Sequence, residues 1–216
     1  MQITLREPGS AITHYVGMLL AVFAAIPLLV KAGVTSGDRN MAAMAVFMIS
    51  MILLYGASAM YHSVNLSGSK LKIFRKIDHM MIFVLIAGTY TPVCLIILGG
   101  QIGYTLLAVV WGIAAAGILV KALWITCPKW FSSILYIAMG WVCVFVFGTL
   151  WRTLPLGGFL WLLAGGIIYT IGGIIYALKL PIFNSRHRSF GSHEIFHIFC
   201  MLGSFCHFVF MYLYVA

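Results

Sequence analysis

The sequence predicts an all-α fold, a bundle of seven transmembrane helices, from its composition, its apolar runs and the breakers between them. Hydrophobic residues make up 63% of the 216 residues and charged residues only 8%, whereas soluble domains carry about a quarter charged residues. The mean hydropathy of +1.08 is typical of an integral membrane protein. At about 20 residues per span, seven or eight helices fit, so we expect residues 1–216 to form a single membrane domain.

Seven apolar runs, each close to the length that crosses the hydrocarbon core as a helix, follow one another along the chain. They are Ile12–Val30, Met41–Val64, Ile77–Leu98, Tyr104–Trp124, Ser132–Trp151, Phe159–Leu180 and Ser192–Val215. The short connections between the runs contain glycine, proline and asparagine, which end helices. The first run matches a signal-peptide cleavage site poorly, so we predict that it is the first helix of the bundle.

Lysine and arginine predict the orientation, because they concentrate in the short loops on the cytoplasmic side. With the N-terminus in the cytoplasm, 10 of them lie inside: Arg6, Lys70, Lys72, Arg75, Lys76, Lys121, Lys129, Lys179, Arg186 and Arg188. Three lie outside: Lys31, Arg39 and Arg152. We therefore predict a multi-pass protein of the plasma membrane with its N-terminus inside and its C-terminus outside. The net charge of +9 then reflects orientation and anionic lipid, and the chain has no room for a solvated face that binds nucleic acid.

Five polar residues interrupt the apolar runs, where such groups are costly and are usually retained for function. Ser58 and His62 lie near the end of the second run, Asp78 at the start of the third, and His193 and His197 at the start of the last. In the predicted topology these three regions share the inner leaflet. We therefore expect the five side chains to converge at one point near the cytoplasmic surface.

The spacing of the histidines predicts a zinc site. His193 and His197 are four residues apart and lie on one face of a helix, about 6 Å apart along its axis, as in zinc sites on helices. His62 supplies a third ligand, and the fourth tetrahedral position is left for water, which is the pattern of catalytic zinc. Asp78 is the candidate base or water-orienting group. Ser58 either donates a hydrogen bond to a developing oxyanion or orients His62.

The remaining histidines and one glutamate have less specific roles. His14, His79 and Glu194 lie at the depth of the cluster, where they either support the metal ligands or lie at the interface. His207 lies deeper in the seventh run, and we interpret it as structural. His187 lies between two arginines in a loop, and we expect it to be solvated. The five cysteines are scattered without a CxxC pair, so we interpret them as inert thiols.

Four segments carry a resemblance to a known family. They are EPGSAITHYVG at 7–17, SAMYH at 58–62, FRKIDHMMIFVLIAGTYTP at 74–92 and GSHEIFHIF at 191–199. Together they resemble the haemolysin III proteins of bacteria over nearly the whole chain. Those proteins are similar to the progestin and adipoQ receptors, which include the adiponectin receptors, and more distantly to the alkaline ceramidases.

The resemblance implies a bundle of seven helices with a zinc ion near the cytoplasmic side. The SxxxH, D and HxxxH positions of the family correspond to Ser58 and His62, Asp78, and His193 and His197, with the aspartate contacting zinc through water. It further implies hydrolysis of amide bonds or lipids, with a membrane lipid as substrate or ligand, and roles in cytolysis and membrane-lipid homeostasis. It does not imply a particular substrate.

Two other functions use the same residues. His193, Glu194 and His197 form HExxH, in which the glutamate of a zinc peptidase is the general base, although the extended metzincin pattern is not met at Cys200 and Gly203. Alternatively, zinc holds the helices of a receptor or sensor together without turnover. A transporter is less well supported, because the ionisable residues gather in one leaflet and no inverted repeat is evident.

The predicted orientation is testable with reporter fusions. A reporter inserted in the basic loop around Lys70 is expected to be active only in the cytoplasm, because four of the ten predicted inner charges lie within seven residues there. A fusion at the C-terminus is expected to report the outside. Reversal of both signals would overturn the orientation.

Overall fold

The structure of the protein is a computed structural model that describes residues 5–178 and 190–216. Within these ranges seven helices are long and apolar enough to span a membrane, as the sequence predicts, and no strand occurs in them. In chain order they are α1 (Pro8–Ser36), α2 (Asp38–Ser63), α3 (Gly68–Leu98), α4 (Gly100–Leu123), α5 (Lys129–Thr153), α6 (Leu156–Leu178) and α7 (Ser192–Val215). The last turns of α3 and α7, Val93–Leu98 and Met211–Val215, are π-helical. His187, Lys179, Arg186 and Arg188 lie outside the described residues.

The connections between successive helices are short, and glycine makes two of them possible. Gly37 alone separates α1 from α2 and has a φ of +82°. Gly99 and Gly100, at the turn from α3 to α4, have φ values of +56° and +48°. Residues with a Cβ are strained at such angles, so glycine lets the chain reverse within one or two residues. The helices on either side of these two turns, α1 with α2 and α3 with α4, are therefore antiparallel neighbours.

A 3₁₀ segment, Trp141–Val146, interrupts α5, and a side chain from α3 explains the interruption. The hydroxyl of Tyr90 donates to the carbonyl oxygen of Gly140 at 2.6 Å and accepts a hydrogen bond from the backbone N–H of Cys143 at 2.9 Å. The phenol thus takes two backbone groups that would otherwise bond within the helix. The apolar pattern of α5 does not reveal this interruption, because its cause lies on another helix.

Six helices form a closed ring in the order α1, α2, α3, α5, α6 and α7, and α4 packs outside the ring, mainly against α3. One apolar core, which includes Phe47, Tyr55 and Phe210, lies between α1, α2 and α7. A second core, which includes Phe83 and Val110, joins α3 to α4 and α5. The polar residues singled out from the sequence lie at one end of the ring, where α1, α3 and α7 begin and α2 ends.

Polar contacts hold this end of the bundle together. The backbone N–H of Glu7 donates to the carbonyl oxygen of His62 at 3.0 Å and so ties the start of α1 to the end of α2. At the end of α4, the ammonium group of Lys121 is fully buried and donates to the sulfur of Cys127 at 3.0 Å and to the hydroxyl of Ser132. These contacts join the α4–α5 connection to both of its helices.

The contact between α4 and the end of α3 is testable with two glycines of α4. A Cβ at Gly103 would lie 2.1 Å from the backbone carbonyl oxygen of Cys94, so we expect Gly103→Ala to destabilise the protein by about 1–3 kcal/mol. No atom lies within 4 Å of a Cβ at Gly112, and Gly112→Ala is expected to be neutral or slightly stabilising, because alanine favours a helix. Thermal unfolding in detergent measures both variants. Equal effects would contradict the close approach of the two helices.

Candidate metal centre

Three histidines from α2 and α7 meet at one end of the bundle, which is the arrangement expected from the sequence. Each of the three residues, His62, His193 and His197, offers one ring nitrogen as a ligand atom. These three nitrogens all lie within 4.8 Å of one another. The ring centroids are 4.5 Å apart for the two histidines of α7, and 4.9 and 5.2 Å from these two to the ring of His62. His62 and His197 are each only 2% exposed. The three largely enclosed side chains form a group that could hold a metal ion.

A carboxylate from the start of α1 orients His62. The Nδ1–H group of His62 donates a hydrogen bond to Glu7, since a carboxylate only accepts. This hydrogen bond outweighs the partial burial of the carboxylate and lowers the pKa of Glu7 from 4.5 to about 2. With its proton on Nδ1, His62 directs the lone pair of Nε2 toward the other histidines.

A hydroxyl of α1 orients His197 in the same way. The Oγ1 atom of Thr13 lies 3.0 Å from the carbonyl oxygens of Gly9 and Ser10 and 3.1 Å from Nδ1 of His197. The single hydroxyl proton goes to a carbonyl oxygen, so Thr13 accepts a hydrogen bond from the Nδ1–H group of the imidazole. The Nε2 atom of His197 is thus left as a lone-pair donor, which is the form of imidazole that binds a metal.

The separation of one pair of histidine nitrogens fits a tetrahedral ion. The Nε2 atoms of His62 and His193 lie 3.2 Å apart, and two nitrogens bound to one tetrahedral zinc at ordinary bond lengths lie about 3.3 Å apart. The Nδ1 atom of His193 is buried and has no hydrogen-bond partner among the described residues. The pair thus already has the separation of two ligands of one ion.

A fourth histidine, His14, lies against the three. Its ring stacks on the ring of His197 with the centroids 3.5 Å apart and the planes 7° from parallel. His14 is 3% exposed, and neither of its ring nitrogens has a hydrogen-bond partner within the described part of the chain. Buried polar atoms nearly always have a hydrogen-bond partner, either in the protein or in ordered water. Because the described residues offer none to these two nitrogens, they are available to water or to another ligand.

The carboxylate of Glu194 caps the start of α7. One oxygen accepts a hydrogen bond from the backbone N–H of Gly191 at 2.7 Å, and the other accepts from the hydroxyl of Ser10 on α1. The first contact satisfies a free backbone group at the helix N-terminus. Glu194 therefore supports the site indirectly, because it fixes the helical turn that carries His193 and joins that turn to α1.

Asp78 and Ser58 line the cavity next to the histidines but lie outside the group of possible metal ligands. An oxygen of Asp78 lies 3.2 Å from Nδ1 of His79, and the same nitrogen lies 2.9 Å from the carbonyl oxygen of Arg75. The carboxylate oxygen of Asp78 and the carbonyl oxygen of Arg75 are both acceptors, so the Nδ1–H group of His79 is shared between them. His79 thus holds the buried carboxylate of Asp78 in place, and Ser58 is 1% exposed on the cavity wall.

The cavity has a volume of about 140 Å³ and a largely apolar wall. His193 and His197 form part of its wall at one end, and His207 and Trp141 line it farther along the bundle. His207 is remote from the metal group, as its depth predicts, but it lies on the cavity wall. The histidine cluster therefore borders a largely apolar cavity.

Sequence reasoning named His14 of α1 but missed three other residues at the start of this helix. Glu7, Ser10 and Thr13 each contact either a histidine of the cluster or the capping carboxylate of α7. The three residues recur every third position, so they lie on one side of the first turns of α1. This polar stripe just before the first apolar run is the signal that the sequence offers for them.

Comparisons with known proteins point to one family. The profile of the family described as Haemolysin-III related matches residues 2–208. The chain is 39% identical to Hemolysin-3 of Bacillus cereus, over 94% of this chain and 89% of that protein. It is 37% identical to the Hemolysin-3 homolog of Bacillus subtilis (strain 168), over 92% of this chain and 89% of that protein. The chain is more distantly similar to progestin and adipoQ receptor-like protein 1 of Caenorhabditis elegans. The identity is 27%, over 94% of this chain and 50% of that protein.

The hydrogen bond between Glu7 and His62 is expected to strengthen metal binding. Glu7→Gln removes the ionised acceptor, so we expect the zinc affinity of the purified protein to fall about 10- to 100-fold. Asp38→Asn makes the same change of charge at the exposed start of α2, at the opposite end of the bundle, and is expected to leave the affinity unchanged. Competition with a chromogenic chelator measures both. Equal affinities in the two variants would contradict the role assigned to Glu7.

Proposed function

The chain belongs to the Haemolysin-III related family of multi-pass membrane proteins, and from this premise we propose that it is a zinc-dependent hydrolase of lipid amide or ester bonds. One observation carries the proposal: a buried aspartate and a buried serine line the apolar cavity beside three histidines without being needed to hold the metal. A structural zinc site is usually closed by four protein ligands, whereas a catalytic site keeps an open position beside which an acid–base group can act. Since the Bacillus relatives are named hemolysins, we place the activity in cytolysis or membrane-lipid homeostasis.

The residues present fit zinc as the cofactor. Three imidazoles, two of them with tautomers held by Glu7 and Thr13, form a donor set typical of catalytic zinc. When bound, zinc supplies a Lewis acid that polarises a carbonyl group and lowers the pKa of a coordinated water. The predicted orientation puts this end of the bundle near the cytoplasmic side of the membrane.

Asp78 and Ser58 have separate roles in the proposed reaction. Asp78 accepts the proton of the attacking water and delivers a proton to the departing amine or alcohol. The hydrogen bond from His79 keeps the carboxylate oriented. The hydroxyl of Ser58 donates a hydrogen bond to the substrate carbonyl oxygen as that oxygen gains negative charge.

The cavity supports a lipid as the substrate. Its wall is formed largely by apolar side chains such as Leu54, Ile82 and Phe196, and it begins at the histidine cluster. A hydrocarbon chain is the ligand that such a wall favours. A chain lying in the cavity brings the amide or ester group at its head to the metal centre.

A sensor in which zinc is structural is a second candidate, and the position of His14 favours it. A fourth imidazole would close the coordination sphere, as in structural zinc sites. His14 stacks on His197 and both its ring nitrogens lack partners among the described residues, but it lies outside the group of three possible metal ligands. The peptidase interpretation of HExxH has less support. One carboxylate oxygen of Glu194 is engaged in the cap of α7 and the other accepts a hydrogen bond from Ser10 of α1, so both oxygens already have partners.

Turnover of lipids distinguishes the candidates. We expect the purified protein to hydrolyse a ceramide-like amide or a phospholipid ester, and Asp78→Asn to reduce the rate about 10²- to 10⁴-fold because the variant lacks the general base. The zinc content of the variant is expected to stay unchanged, since Asp78 lies outside the metal group. Product is measured by mass spectrometry and zinc by elemental analysis.

Three controls make the result decisive. Asp38→Asn removes a remote carboxylate and is expected to retain full activity. Loss of zinc in His62→Ala and His193→Ala would identify the ligands. Retained zinc with no product from either lipid class would overturn the hydrolase proposal in favour of the sensor, and proteolysis lost only in Glu194→Gln would favour the peptidase.

A further inference from the structure

His207 stands apart from the metal centre, buried in the membrane-spanning part of α7. It is 8% exposed, and it lines both the cavity that begins at the metal centre and a second cavity of about 60 Å³ beside it. A polar side chain at this depth is costly and is usually retained for a function. The proposed hydrolysis makes no use of it.

The contacts of His207 determine which of its nitrogens is free. Its Nε2 atom lies 3.3 Å from the backbone carbonyl oxygen of Leu162 on α6. A carbonyl oxygen only accepts, so Nε2 carries the proton and donates. Since a charged ring would be costly in hydrocarbon, the ring is neutral and Nδ1 is an acceptor. This acceptor is buried and has no partner in the described part of the chain.

The position of the ring is constrained by its neighbours. A Cβ at Gly165 would lie 2.2 Å from Cδ2 of His207, so only glycine lets the ring lie against α6. On another side the ring of Tyr169 packs edge-on, with the centroids 5.5 Å apart. The imidazole is therefore held in place as the wall of the cavity.

The hydrogen-bond donors nearest to this wall are already engaged. The hydroxyl of Tyr169 is paired with Ser204 at 2.6 Å, and the indole N–H of Trp141 donates to Thr170 at 2.8 Å. The hydroxyl of Thr89 donates to a carbonyl oxygen of its own helix at 2.8 Å. The Nδ1 acceptor of His207 has no partner among these groups, and a donor that enters the cavity could satisfy it.

We propose that His207 is a binding subsite for a hydroxyl group carried on the hydrocarbon chain of a lipid in the cavity. Such a hydroxyl donates to Nδ1 while the chain on either side packs against the apolar wall. A hydroxylated chain gains this hydrogen bond, and an unsubstituted chain leaves the buried acceptor unpaired. The subsite thus selects lipids by a substituent far from their head group.

The helix geometry places this subsite at a defined distance from the metal centre, if the head of the lipid binds there as the proposed function requires. His207 follows His197 by ten residues in one continuous α-helix, which is about 15 Å along the axis and matches about twelve carbons of extended chain. The favoured hydroxyl is therefore in the middle of a long chain, near carbon 12.

Equilibrium binding of fatty acids to the full chain in lipid nanodiscs tests the subsite. The probes are stearic acid and its isomers hydroxylated at carbon 2 and at carbon 12, in competition with a fluorescent fatty acid. We expect the 12-hydroxy acid to bind about three- to tenfold more tightly than stearic acid, and the 2-hydroxy acid to show no such gain. Equal affinities for the three acids would overturn the proposal and indicate that water alone satisfies His207.

Two variants of one position sharpen the test. His207→Phe keeps a ring of similar size but removes the acceptor, so the preference for the 12-hydroxy acid is expected to disappear. His207→Asn keeps an oxygen close to the position of Nδ1 and is expected to retain part of the preference. A preference that persists in the Phe variant would overturn the proposal, and if that variant does not fold, the three acids with the native chain decide.

Binding without turnover separates this inference from the proposed hydrolysis. A preference for the 12-hydroxy acid in a protein that hydrolyses no lipid supports the subsite and removes the hydrolase proposal. Hydrolysis of a lipid without a preference for the 12-hydroxy acid supports the hydrolase proposal and overturns the subsite.

Discussion

A polar group that is buried within a membrane-spanning bundle must be paired, because no water is present in the hydrocarbon to satisfy it. His62 and His197 meet this requirement through α1, whereas Nδ1 of His193 and both ring nitrogens of His14 have no partner among the described residues. Glu7 pairs with His62, Thr13 with His197, and Ser10 with the carboxylate that caps α7. These contacts all lie on one side of α1, so they place this helix between α2 and α7 and close the ring. The same contacts that make the imidazoles tolerable also orient them toward one another.

The rest of the bundle shapes the space that the cluster faces. Tyr90 on α3 interrupts α5 at Gly140, and this glycine and Trp141 both line the cavity. Glycines of α6 let α7 approach closely, with His207 packed against Gly165. Because α4 lies outside the ring, it adds apolar area to α3 without filling the interior. The arrangement leaves a cavity with its polar groups at one end and an isolated imidazole at the other.

The fold was predictable from the sequence because a helix in lipid must satisfy all its own backbone groups, so each apolar run of about 20 residues has one structural solution. The meeting of His62 with the pair on α7 was predictable from spacing and from the counted spans. Two features were not. The break in α5 arises from the phenol of Tyr90 on another helix. The placement of His207 on a cavity wall depends on the rotation of α7, which an almost wholly apolar sequence does not specify.

The pairing of the first helix with the last has a consequence for biogenesis. Ser10 and its carboxylate partner on α7 are 184 residues apart in the chain, and Glu7 and Thr13 lie beside Ser10 at the start of α1, which is synthesised before α7. Until α7 enters the bilayer, part of this polar stripe has only lipid, water or a chaperone to contact. Arrival of α7 satisfies the waiting groups and assembles the three imidazoles in a single event. A chain that stalls before α7 enters therefore leaves Ser10 and Thr13 without the partners that they have in the folded bundle.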